Sequence, residues 1–141
     1  MKKTILTITG ILIALATFAG GNGDTNKLTV NIKNFKNTDG KVKVTLFDSE
    51  ANFLSKGIGQ EVIIENKSMI QVVFENVATG TYAVSIIHDE NGNGNLDTGT
   101  FGIPTEDYGF SNNAKGMFGS PSFEDTKFEV TGDKEVVINI N

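Results

Sequence analysis

Residues 28–47 read LTVNIKNFKNTDGKVKVTLF, and two runs within them alternate strictly. Leu28, Val30 and Ile32 fall on one side, with Thr29, Asn31 and Lys33 on the other. Beyond the turn signal Asp39-Gly40, Val42, Val44 and Leu46 repeat the pattern against Lys41, Lys43 and Thr45. Successive side chains of a strand point to opposite faces, so period two marks a strand with one face in a core and one in water. Clean alternation belongs to antiparallel sheets, whereas strands buried on both faces read as continuous apolar runs.

The pattern recurs outward from this stretch. Ile70, Val72 and Phe74 share a face, as do Tyr82, Val84 and Ile86; Phe128 and Val130, then Val136, Ile138 and Ile140, follow near the C-terminus. Residues 61–66 (EVIIEN) predict a further, less regular strand. Asn66-Lys67-Ser68 separates the middle strands, and Gly132-Asp133 has the glycine-first chemistry of a two-residue hairpin turn. Residues 50–57 (EANFLSKG) predict one short helix, with Phe53 and Leu54 over an open end of the core. The expectation is an all-β domain over residues 28–141. It is a seven-stranded antiparallel β-sandwich of the immunoglobulin-like or transthyretin-like kind.

The first residues belong to something else. Lys2 and Lys3 precede an apolar run from Ile5 to Ala19, and Thr17-Phe18-Ala19 ends on small residues. This is the pattern of a secretory signal peptide over residues 1–19, shorter than the roughly 20 apolar residues of a membrane span. Residues 20–27 (GGNGDTNK) read as a flexible leader. The expected location is exported, periplasmic or extracellular, with no membrane insertion after cleavage. The chain has no cysteine, which excludes lipid attachment at a cysteine and disulfide staples alike. Losing Lys2 and Lys3 takes the net charge from −5 to −7. An acidic surface disfavours nucleic acid and anionic membranes and suits cations.

One stretch suggests chemistry. His88 to Asp97, HDENGNGNLD, sets oxygen-bearing side chains at alternate positions, Asp89, Asn91 and Asn93, then Gly94, Asn95 and Asp97. This is the front half of a calcium loop of the D-x-N-x-N-G type, in which a hard cation gathers about six to eight oxygens. The expected ligands are the side chains of Asp89, Asn91, Asn93 and Asp97 with the carbonyl of Asn95. Thr100 stands where such loops carry a bidentate glutamate, so binding should be weak, with Glu106, Asp107 or Glu90 as sources of further oxygens. Asn-Gly steps also build tight turns with no metal at all. Zinc is poorly served by a chain with one histidine and no cysteine. That histidine, His88, suits a structural role at a strand end better than acid–base work, because no nucleophile–base–orienter set accompanies it.

Residues 98–123 lack sustained periodicity but carry Phe101, Tyr108, Phe110, Phe118 and Phe123. They predict an ordered, glycine-rich loop folded back beside the candidate metal loop, stiffened by Pro104 and Pro121. Phe101, Tyr108 and Phe110 then either cover one end of the core or form a platform for an envelope glycan or peptide.

Residues 74–114, FENVATGTYAVSIIHDENGNGNLDTGTFGIPTEDYGFSNNA, followed by FGSPSF at 118–123, resemble the signature of exported bacterial proteins grouped as domain of unknown function 2141. The resemblance implies a secreted or periplasmic β-sandwich and no assigned activity. Asn76 to Tyr82 is also similar, at the level of fold, to the turn-Gly-x-Tyr-strand signature of transthyretin-like and collagen-adhesin B-type modules, some of which hold calcium in Asp/Asn loops. That analogy supports a fold and not a function. The combined expectation is a non-enzymatic exported sandwich with a structural calcium loop.

Overall fold

A computed structural model describes residues 23–141; the expected signal peptide lies outside the described residues. Eight strands follow in order: β1 Thr25–Lys33, β2 Lys41–Phe47, β3 Ile58–Ile63, β4 Ile70–Ala78, β5 Gly80–Asp89, β6 Tyr108–Phe110, β7 Phe128–Val130 and β8 Lys134–Asn139, with one helical turn, α1 Phe123–Thr126, before β7. They make two sheets. One has the order β4-β1-β8, and the other β3-β2-β5-β6 with β7 also paired to β5. The fold is all-β.

The alternation decides which side chains meet. Leu28, Val30 and Ile32 from the first sheet share one buried cluster with Val42, Val44, Leu46, Val84 and Ile86 from the second. Phe74 and Ile138 belong to it too, both essentially without exposed surface. The sheets also join at one edge. Tyr108 N–H donates to Asn141 O (3.4 Å) and Asn141 N–H to Tyr108 O (3.1 Å), so the tail after β8 zips to β6. Gly109 faces inward there, and a Cβ on it would lie 3.0 Å from Asn139 O.

Several expectations need correction. Among the described residues the strand count is eight, not seven, because β6 is a three-residue strand inside the segment that has no periodicity. The fold is not purely antiparallel: β8 runs parallel to β1, with Val30 opposite Val136. Gly132-Asp133 does not join paired strands, since β7 pairs with β5 and β8 with β1. Alternation reports the face a residue takes and is silent on the neighbour. Strand β3 runs over Ile58–Ile63 rather than 61–66, with inward Gln60 donating from Nε2 to Val73 O at 3.0 Å. Strand β1 starts at Thr25, inside the expected leader, because Thr25 and Asn26 pair with Ala78 and Val77.

Residues 50–57 form turns rather than a helix. Lys56 N–H reaches Asn52 O (2.9 Å), but Leu54 takes a left-handed φ of 58°, which ends any helical run. Leu54 is 48% exposed. Phe53 instead packs on the outer face of the second sheet, against Phe47 (5.3 Å between ring centres), Phe123 (5.7 Å) and Phe110 (6.3 Å). A second, smaller aromatic core thus sits outside the main one.

Tyr82 is buried at the start of β5 and its hydroxyl donates to Ala78 O at 2.8 Å. Desolvation first, then the nearby Asp48 carboxylate, raise its pKa above 10.0. The neutral phenol is therefore favoured by folding. That stability is whole below pH 10 and is lost as pH climbs through the folded value. Tyr82→Phe should cost about 1 kcal/mol at neutral pH, and urea titrations in alkaline buffer should show the gap to wild type narrowing.

Candidate metal centre

The candidate loop leaves the end of β5. The register Lys41↔Asp89 and Val42↔His88 holds that end against β2. His88 is fully buried, edge-on to Phe35 with 5.6 Å between ring centres. Its Nε2 lies 2.8 Å from Asp39 O; a carbonyl can only accept, so Nε2 carries the proton. Nδ1 has no hydrogen-bond partner among the described residues, with Glu90 Oε1 at 3.9 Å. The ring fastens the Asp39-Gly40 turn under the loop, and nothing opens it to solvent.

Asp89, 4% exposed, folds the loop. Its Oδ1 accepts from Asn93 N–H (3.1 Å) and its Oδ2 from Gly94 N–H (2.7 Å). Gly92 and Gly94 take φ of 73° and 82°, which lets the chain curl this tightly. Asn91 Oδ1 accepts from Asn93 N–H (3.2 Å), and Asn93 Oδ1 from Asn95 N–H (2.9 Å). The amide nitrogens of Asn91 and Asn93 both donate to the Asp97 carboxylate, the latter at 2.6 Å. Lys43 Nζ donates to Gly94 O at 3.3 Å.

The predicted residues are thus brought together unequally. Asn91, Asn93 and Asp97 touch one another directly. Asp89 joins them through the backbone of residues 93 and 94, and Asn95 through its N–H. Glu106, 7% exposed, does something sequence spacing does not suggest. Its Oε1 accepts from Glu90 N–H and its Oε2 from Asp97 N–H, each at 3.0 Å. One carboxylate therefore clasps the first and last residues of the 90–97 loop. Asp107 turns away to Lys36 (2.6 Å), and Thr105 N–H ties to Asp97 O (2.9 Å).

As a cation site the loop is all oxygen, the donor set of a hard divalent ion. Among the described residues no three acidic or histidine side chains gather in one metal-holding group. An ion here takes amide and carbonyl oxygens beside two carboxylates at most. The Oδ1 atoms of Asn91 and Asn93 and the carboxylate oxygens of Asp89 and Asp97 each accept one hydrogen bond in the folded loop and keep a second lone pair.

The aromatic residues do not form one platform. Residues 98–104 make a small excursion, Thr98 bridging Pro104, with Phe101 at its tip and 95% exposed. Phe110 is 6% exposed and belongs to the outer aromatic core. Tyr108 is half-buried and lines, with Phe110, Leu54, Ile87, Leu96 and Pro104, a cleft of about 230 Å³.

No curated protein matches this chain, and no solved structure does. The model of one family matches residues 30–139, from the second half of β1 to the last residue of β8 and across the whole candidate loop. That match spans most of the chain, which therefore belongs to the family described as uncharacterized protein conserved in bacteria, DUF2141.

Proposed function

We propose that the protein is an exported, non-enzymatic sandwich of immunoglobulin-like or transthyretin-like kind whose 89–97 loop binds calcium as a structural ion. The observation that carries this reading is the meeting of Asn91, Asn93 and Asp97 in a loop that Asp89 folds. The two amide donors now neutralise part of the Asp97 charge. A divalent cation takes over that task while the amides turn to offer oxygen. The two carboxylates and the net charge, −7 once Lys2 and Lys3 are lost, favour the ion. Fixing the loop also fixes the 98–110 return that Glu106 ties to it. Export rests on residues 1–19. A glycan- or peptide-binding role has narrower support, since Tyr108 and Phe110 reach the cleft and Phe101 stands outside it.

Thermal unfolding at rising calcium tests the proposal. With only two carboxylates, Kd should be about 10⁻⁴ to 10⁻³ M. At roughly ten times Kd the linkage stabilisation is about 1.4 kcal/mol, a shift of several degrees in Tm. Magnesium should do less, because it keeps its waters. Asp89→Ala and Asp97→Ala should each abolish the calcium response. An unchanged Tm at saturating calcium overturns the reading.

A further inference from the structure

We propose that Asn91-Gly92 is a self-modification site, converting to aspartate and isoaspartate while its near twin Asn93-Gly94 is protected. In this reaction the Gly92 backbone nitrogen attacks Asn91 Cγ. An N–Cγ bond forms, the Cγ–Nδ2 bond breaks, and ammonia leaves with the proton that Gly92 gave up. The resulting cyclic imide is opened by water at either carbonyl, giving aspartate or isoaspartate. The net change is asparagine plus water to acid plus ammonia, with no oxidant or cofactor.

Both steps have what the reaction needs in common. Asn91 and Asn93 are exposed. Each is followed by a glycine at positive φ with no atom within 4 Å of where a Cβ would lie. In each, the side-chain carbonyl oxygen accepts a backbone N–H two residues on, at 3.2 Å for Asn91 and 2.9 Å for Asn93. Those donors sit where negative charge develops as the nitrogen attacks.

The nucleophiles differ. Gly94 N–H is held by the Asp89 carboxylate at 2.7 Å. To attack, that nitrogen must give up a charge-assisted hydrogen bond and become anionic beside a carboxylate, and both cost energy. Among the described residues no side chain holds the Gly92 N–H, which meets only the weak backbone contact of the turn at residues 90–91. Conversion at Asn91 puts a carboxyl group at the third position of the loop, beside Asp97. The charge of the site then changes with the age of the molecule. The inference stands whether or not the loop holds a metal.

The test is peptide mapping by mass spectrometry of the folded protein, aged in mildly alkaline, calcium-free buffer. Conversion is expected roughly ten-fold faster at Asn91 than at Asn93, the factor for one charge-assisted hydrogen bond. In urea the two rates should converge, because the difference lies in the fold. Asp89→Ala should raise the Asn93 rate toward that of Asn91. Circular dichroism on the same variant separates release of Gly94 from unfolding. Equal rates in the folded wild type, or a ten-fold gap that persists in urea, overturn the proposal. Calcium is a separate arm: slowing at both asparagines supports the metal reading, and the ratio in its absence still judges this one.

Discussion

Gly40→Ala should destabilise the protein by about 3 kcal/mol or more, although it adds a single methyl group. Two costs combine. Gly40 has φ of 65°, where an L-residue costs roughly 1–2 kcal/mol. A Cβ there would also lie 2.0 Å from Asp89 O and 2.6 Å from Glu90 O. Both obstacles are backbone, so no rotamer change relieves them, and overpacking of this kind costs typically about 1–3 kcal/mol. The strands must part exactly where His88 pins Asp39 and where the candidate loop begins. The matched control is Gly94→Ala, also at positive φ but with open space around the added atom. That change should cost about 1 kcal/mol. Urea unfolding of the two variants separates steric from conformational cost; similar midpoints would mean that the approach of Gly40 to β5 is slack.

Much of the core could be read from residue order, because period two maps directly onto burial. Leu28, Val30, Ile32, Val42, Val44, Leu46, Val72, Phe74, Val84 and Ile86 all lie inside, as their alternation requires. Partner choice could not be read this way. Strand β8 lies parallel beside β1 across more than a hundred residues of chain, and nothing local at Gly132-Asp133 announces that crossing. The outer aromatic core escaped for a related reason. Phe47 ends the alternating run 42–46 on its solvent side, and that misplaced phenylalanine was the one local hint of a second layer over the sheet. In the candidate loop, Asp89, Asn91, Asn93 and Asp97 were legible because they lie within one bend. The clasp was not, since the two amides Glu106 holds are set by how the 98–105 excursion returns. A carboxylate sixteen residues from its partner carries no spacing rule.

That clasp makes Glu106→Ala the variant with the largest expected effect on the loop. Glu106 is nearly buried, and each oxygen accepts a backbone N–H at 3.0 Å, one at either end of residues 90–97. Hydrogen bonds to a charged acceptor contribute about 1.5–3 kcal/mol each, and partial hydration of the freed amides returns some of it. A loss of about 3 kcal/mol is expected for Glu106→Ala. Glu106→Gln keeps one acceptor oxygen and faces the second N–H with its own amide donor, so it should lose a large part of the same stability. The two carboxylates of the candidate site remain in both variants. Their arrangement loosens, and any calcium response should weaken with it, which distinguishes a positioning residue from a ligand-free bystander. Hydrogen exchange is the direct readout. The Glu90 and Asp97 amides should lose protection together in Glu106→Ala while the β2–β5 ladder at Val44 and Ile86 keeps its own. Unchanged exchange at residues 90 and 97 would show that the loop closes without the clasp, held by Asp89 and by the amides of Asn91 and Asn93 on Asp97.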